Sequence, residues 1–323
     1  MCGVALTRKE RRTLKKIKWL ATGGTISSIQ TENGLHPAAD ESQMSDMLSL
    51  IPETGLEIYP ECIMSIDSSD ISAADMKTIS TAADRAVKEG FDGIVITHGT
   101  DTMAYTSAVM RKMLSGTPIP VIITGSQRPF YSENSDGRVN LYNALKAAAG
   151  SSLKDVFLLF GDKLIRGDRA HKDFTENDNA FVSTCGYSGI IENGRLTVNE
   201  LPKNDSGYRF RTDMNENVML IKLTPLTDGS IFSYAAENGV KGIVIEGYGS
   251  GGIPHRLLDS IGSAISKGIK IMLISQCLYD GVDMSIYEVG NDAAKLGIIP
   301  GGNMSAEAAV AEMMFMLGKE QCP

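Results

Sequence analysis

The chain has 323 residues, enough for two domains, and its 42% hydrophobic and 22% charged content is that of an ordinary globular protein. A net charge of −8 disfavours nucleic acid and anionic membrane as main partners, and no run of about 18 apolar residues is present to span a bilayer. Five cysteines (Cys2, Cys62, Cys185, Cys277 and Cys322) show no CxxC spacing, which argues against a disulfide framework or a zinc site and fits a reducing cytoplasm.

Residues 1–16 form a basic N-terminal extension: Met1 to Leu6 is briefly apolar, then come Arg8, Lys9, Arg11, Arg12, Lys15 and Lys16. A secretory signal has the opposite order, so this segment reads as a solvated arm or a contact for RNA or an acidic partner. Ile17 to Ala21 is a short apolar strand that runs into Thr22-Gly23-Gly24-Thr25-Ile26. The glycine pair accepts positive φ, so the chain can turn at the strand end and leave Thr25 facing a crevice, where open α/β sheets bind ligands. Three readings compete. A phosphate cradle lacks both the P-loop and the GxGxxG pattern. A tight turn with Thr25 as a cap is the second. A nucleophilic threonine is the third, and it requires a base nearby.

Ile63 to Ile66 leads into Asp67-Ser68-Ser69-Asp70, either a turn with caps or a set of small hydroxyls able to hold a carboxylate. Asp75 to Lys88 has helical spacing, and Gly93 to Thr97 reads as a buried strand. After it comes Thr97-His98-Gly99-Thr100-Asp101-Thr102, then a helix over Met103 to Leu114. Thr100 or Asp101 suits an N-cap, worth roughly 0.5–2 kcal/mol, or a partner for a nucleophile. His98 is either a base or a structural hydrogen bonder. Val121 to Ile123 and Val156 to Phe160 are strands, with a helix over Gly137 to Ala149 between them. The charged run Arg166 to Lys172 reads as a solvated face, unless its lysine packs against Asp101 and eases proton removal from a threonine or water.

The pattern fails between Glu200 and Asn217, where Pro202 to Gly207 is polar and turn-rich. It restarts with strands at Val218 to Leu223, Gly242 to Ile245 and Ile269 to Ser275, and helices at Ile231 to Asn238, Leu257 to Ser266 and Ser305 to Leu317. This alternation predicts an α/β protein. A larger N-terminal domain, 17–200, has a mainly parallel sheet flanked by helices; 201–217 is a linker; a smaller α/β domain occupies 218–323.

Together these motifs resemble the bacterial-type L-asparaginase family over about residues 17 to 318. The resembling pieces are Ala21 to Ile26, Asp67 to Asp70, His98 to Tyr105, Thr124 to Gln127, Ser135 to Gly137 with Asn140-Leu141, Arg166-Gly167 leading to Lys172, Ser275 to Cys277, and Gly301-Gly302. The SQC and DSSD variants are most similar to the cytosolic type I branch. The resemblance implies hydrolysis of the asparagine side-chain amide to aspartate and ammonia, without metal or cofactor. Carried over, Thr25 is the nucleophile, and Thr100, Asp101 and Lys172 form a second triad that manages the proton or activates water. Ser68 would hold the substrate α-carboxylate and Asp101 the α-ammonium, with Asp67 and Ser69 lending contacts. A homodimer or homotetramer is implied, with Tyr287 and Glu288 as contributors near a neighbouring site.

The chain departs from the family at two places. Leu35 stands where a mobile-loop tyrosine is expected. An effector site known in some cytosolic members uses a threonine and an arginine at positions that here hold His171 and Glu246, although Cys277 is present, so that regulation is not expected. Two other readings stand beside the leading one. Glutamine amide hydrolysis occurs in an archaeal glutamyl-tRNA amidotransferase, whose family-like D chain carries an extra N-terminal domain, whereas 16 residues precede the first strand here. A non-catalytic amino-acid sensor on the same scaffold is the third, and four filled catalytic positions count against it.

Overall fold

A computed structural model describes residues 14–32, 34–199, 207–285 and 288–319. Arg8 to Arg12 of the basic extension, Pro202 to Ser206 of the linker, and the Tyr287 and Glu288 side chains lie outside the described residues.

The apolar runs become the centre of an eight-stranded sheet. Five strands are parallel, in the spatial order Val156–Phe160, Val121–Thr124, Gly93–Thr97, Lys16–Gly23, Glu57–Ile66. Three short antiparallel strands, Lys163–Arg166, Gly189–Glu192 and Arg195–Val198, extend the Val156–Phe160 end. The runs are continuously apolar because both sheet faces are covered. Side chains alternate: Trp19, Val95, Ile122 and Phe157 enter one core, while Leu20, Ile94, Ile96 and Leu158 enter the other.

The helix Ala73–Lys88 starts at a capping box, in which Ser72 and Asp75 satisfy each other's backbone N–H. The helices Met103–Met113 and Gly137–Ala148 follow two of the central strands. The C-terminal domain is a four-stranded parallel sheet, ordered Val218–Lys222, Gly242–Gly247, Lys270–Ser275, Ile299–Pro300. The last helix, Ala306–Lys319, serves both domains. Ala309, Met313 and Leu317 pack on the C-terminal sheet with Val244 and Met272. Ala311, Met314 and Phe315 pack on Ala108, Val109 and Met113 of the N-terminal domain. Arg209–Phe210 also pairs with Leu114–Ser115.

Candidate active site

Three loops meet where three neighbouring parallel strands, Gly93–Thr97, Lys16–Gly23 and Glu57–Ile66, end. The first strand stops at Gly23 and Gly24, with φ of 101° and 76°, and Thr25 opens a short 3-10 turn over Thr25–Ser27. These values need glycine, and so does the space around them. A Cβ on Gly24 would lie 2.4 Å from Gly99 Cα, and one on Gly99 would lie 2.5 Å from Ser68 Oγ. The TGGT and HGTDT segments therefore touch backbone to backbone at Gly24, and Gly99 lies against the Ser68 side chain of the DSSD segment. The turn is held by the Gly24 N–H donating to Ile66 O at 3.1 Å, and by Gly24 O accepting from Ser27 Oγ and Ser28 Oγ. Thr25 itself is half-buried, and its hydroxyl has no hydrogen-bond partner among the described residues.

The second loop differs from the capping alternative. The N-cap of Met103–Met113 is Thr102, not Thr100 or Asp101. Its hydroxyl donates to Ser68 O at 2.7 Å, which ties the helix start to the DSSD turn. Thr100 and Asp101 are thereby free for other work. Lys172 Nζ donates to Thr100 Oγ1 at 2.8 Å and to Asp101 Oδ1 at 2.6 Å. The Lys172 side chain is 18% exposed and Asp101 62%, so the pair has one sheltered and one wet end. Gln127 Oε1 accepts from the Thr100 hydroxyl at 3.5 Å, and its amide donates to Asn177 O.

Ser68 is buried at 3% exposure, and its Oγ accepts the Asp101 N–H at 3.2 Å. Asp67 caps its own turn, accepting from the Ser69 N–H at 2.9 Å and Ser69 Oγ at 2.8 Å. Thr100, Asp101, Lys172 and Ser68 are thus linked directly. Thr25 is linked to them through Gly24 and Gly99, and Asp67 and Ser69 through the turn that carries Ser68. Among the described residues no group of three or more His, Cys, Asp or Glu side chains is placed to hold a metal ion.

His98 is the structural hydrogen bonder of the two readings. It is fully buried, and since the Gly99 carbonyl can only accept, Nδ1–H donates there at 2.7 Å. Nε2 then accepts the Thr106 hydroxyl at 3.0 Å. Burial pushes the imidazole down to about 4. An unfolded histidine takes its proton near pH 6.5, so between pH 6.5 and 4 the unfolded state binds more protons and stability falls as the pH falls, by about 3 kcal/mol at most. One of the four histidine imidazole resonances is expected to titrate in NMR with a midpoint of about 4, well below the ordinary histidine range, which checks this.

The charged run is a sheltered ion network, not a solvated face. Arg111 bridges Asp155 and Asp168, and Arg166 also pairs with Asp168. Ser107 Oγ donates to Gly167 O at 3.0 Å. These bonds anchor the loop that delivers the strand Ala170–Lys172. Leu35 lies 51% exposed on the hairpin Ser28–Thr31/Gly34–Pro37. The cleft it shares with Tyr131 has a volume of about 320 Å³, and the Tyr131 hydroxyl is bound to Asp46 at 2.9 Å. Gln127 and Asp136 are site residues to which the sequence assigns no role. Asp136 accepts the Gln127 and Arg128 backbone N–H groups at 2.8 and 3.0 Å, and so fixes Gln127 beside Thr100. Their one sequence signal is their place in the TGSQ and SDG motifs.

Two family models cover the chain: Asparaginase, N-terminal over residues 16–204, and Glutaminase/Asparaginase C-terminal domain over residues 217–323. The chain belongs to the asparaginase family. It is 38% identical over 309 residues to the L-asparaginase of Thermococcus kodakarensis, covering 94% of this chain and 93% of that one. The solved structure of the thermostable L-asparaginase from that organism matches with a TM-score of 0.87 at 36% identity, over 94% of this chain and 93% of that one. Escherichia coli L-asparaginase 1 is 31% identical, covering 95% of this chain and 93% of the relative. The D chain of the Pyrococcus furiosus glutamyl-tRNA(Gln) amidotransferase is 32% identical, covering 95% of this chain and 73% of the relative. As in the resemblance read from the motifs, asparaginase-family similarity thus extends over both domains.

Proposed function

We propose that this asparaginase-family protein hydrolyses the side-chain amide of L-asparagine to L-aspartate and ammonia, with Thr25 as nucleophile. Thr25 Oγ adds to the amide carbonyl carbon, the C–N bond breaks, and the nitrogen leaves as ammonia after gaining a proton. Water then cleaves the resulting ester and frees aspartate. Lys172, Thr100 and Asp101 manage the proton. Ser68 serves the α-carboxylate end of the zwitterion and Asp101 the α-ammonium end, with Asp67 and Ser69 shaping the turn. Negative charge on the carbonyl oxygen needs preorganised N–H donors, each commonly worth about 3 kcal/mol. The Gly24 N–H is already spent on Ile66 O, so that donor lies elsewhere.

The observation that carries the reading is the Lys172 ammonium held at once on Thr100 and Asp101 beside the Gly24–Gly99 contact. The N-terminal unit, 17–200, carries the chemistry, and 201–217 joins it to 218–323. A cytoplasmic location and a homodimer or homotetramer belong to the same proposal. Glutamine hydrolysis is the second reading, favoured by the similarity to the amidotransferase chain. Ammonia release from asparagine and glutamine, measured side by side, is expected to favour asparagine by at least about tenfold in kcat/KM, a difference of about 1.4 kcal/mol. Equal or greater turnover of glutamine overturns the substrate choice.

A further inference from the structure

The strand Ala170–Lys172 is three residues long and is not part of the main sheet. Among the described residues it pairs only with Phe181–Ser183, so this two-stranded ribbon gives Lys172 little rigidity of its own. Successive strand residues point to opposite faces. Lys172 reaches Thr100 and Asp101, and His171 faces the other way, toward the C-terminal domain. There it meets the first turn of the last helix, where Glu307 Oε1 accepts from His171 Nδ1 at 3.0 Å. One residue before His171, Ala170 O accepts from the hydroxyl of Ser305, which also receives the Ala308 N–H at that helix start. Two contacts thus fasten the lysine ribbon to the C-terminal helix. That helix is itself packed on both domain cores.

The Glu307 carboxylate is expensive where it stands. The residue is 5% exposed, and its Oε2 is buried with no partner among the described residues. The His171 side chain is 35% exposed, and an ion pair with one partly exposed and one buried end commonly returns little net stability, so geometry is the better account of the pair. The acidic or potentially acidic groups acting on this place come from every element packed there. Glu307 is on the last helix, Glu246 on the strand Gly242–Gly247, Asp173 just beyond the ribbon, and Tyr105 on the helix Met103–Met113. The hydrogen bond to Glu307, aided by these charges, holds the His171 proton above the ordinary histidine range.

We propose that His171 and Glu307 form a positioning clasp, through which the C-terminal domain sets Lys172 on Thr100 and Asp101. The inference rests on the catalytic reading of Lys172. His171 and Glu307 are positioning residues, since neither touches the reacting groups. The clasp is an ion pair while His171 is protonated. Raising the pH through the elevated His171 titration leaves only a hydrogen bond from neutral imidazole to the carboxylate, so the ion-pair contribution is full at low pH and fades at high pH.

The test uses the full chain and Glu307→Gln, which keeps the volume and an acceptor but removes the charge. Kinetics with asparagine between pH 6 and 10 are expected to show kcat lowered about tenfold with KM changed less than about twofold, since misplacement of a catalytic group acts on turnover. The alkaline fall in kcat should move to lower pH together with the His171 titration. His171→Arg, which keeps a cation opposite Glu307, should recover most of kcat and lose that pH limb. In parallel, NMR should show the His171 titration moving down in Glu307→Gln, and the Thr100 and Asp101 amide resonances shifting. A folded Glu307→Gln with wild-type kcat, pH profile and Thr100 and Asp101 resonances overturns the clasp. A loss of thermal stability with unchanged kcat makes the pair merely structural and overturns it too. If Glu307→Gln does not fold, His171→Asn carries the same kinetic and amide readouts. Failure of the wild-type chain to release ammonia from asparagine rejects the proposed function instead, while the NMR arm still decides the clasp.

Discussion

Thr25→Ala is expected to lower ammonia release from asparagine by at least about a thousandfold while leaving the melting temperature within about 2 °C of wild type. The separation of the two effects is what makes the variant decisive. The turn around Thr25 is built from Gly23 and Gly24 at positive φ, from the Gly24 N–H on Ile66 O, and from Ser27 and Ser28 on Gly24 O. None of these bonds uses the Thr25 hydroxyl. Removing it should therefore cost no more than about 0.5 kcal/mol of folding free energy, as at an ordinary surface position. Thr25→Ser keeps the hydroxyl and should retain measurable turnover. Near-normal ammonia release by Thr25→Ala, in a coupled spectrophotometric assay with thermal unfolding alongside, would show that the nucleophile is another group.

Lys172→Met should lower kcat by about a thousandfold, within the range typical for loss of a positioned proton-transfer group. Methionine has a similar reach but donates no hydrogen bond. Among the described residues Thr100 Oγ1 would lose its 2.8 Å donor and keep only the 3.5 Å contact to Gln127. Asp101 would lose its 2.6 Å partner, but its side chain is 62% exposed, so water can replace the lysine and the fold should survive. If Thr25, Thr100 and Lys172 act as one unit, Lys172→Met combined with Thr25→Ala should be little worse than Thr25→Ala alone. Additive losses in kcat/KM for the double variant would place Lys172 outside the nucleophile's reaction.

The central architecture is legible in the sequence because its signals are local. Gly93 to Thr97 and Val156 to Phe160 are apolar at nearly every position, and such runs are buried strands when both faces of a parallel sheet are covered. The strand Glu57–Ile66 is not legible as a whole: it contains Pro60 and Glu61 and lies at the sheet edge, where its pattern is only half-buried. The short antiparallel strands between 163 and 198 carry too few residues for a periodic signal. The helix Glu41–Ser49 buries only Met44 and Met47, a weak stripe. In the site, the glycine turn and the HGTDT loop can be seen in the sequence, but the cap at Thr102 cannot. That choice is made by Ser68, which is distant in sequence and accepts the Thr102 hydroxyl through its carbonyl. Lys172 comes from family resemblance, because a lysine in a charged run carries no local mark of its neighbours. Glu307 has no sequence signal, since its partner His171 lies 136 residues away.

The contact between Gly24 and Gly99 has a bearing on how such a site can evolve. With 2.4 Å between a hypothetical Gly24 methyl and the facing backbone, the two strand-end loops leave no clearance for even the smallest side chain. Neither loop can therefore gain a side chain at that contact without displacing the other, and the two positions are closed to mutational exploration. Variation is freer where side chains stand in solvent, as at Leu35 on the hairpin Ser28–Thr31/Gly34–Pro37. Selection for new substrates in this chain should collect its changes there and leave both glycines untouched.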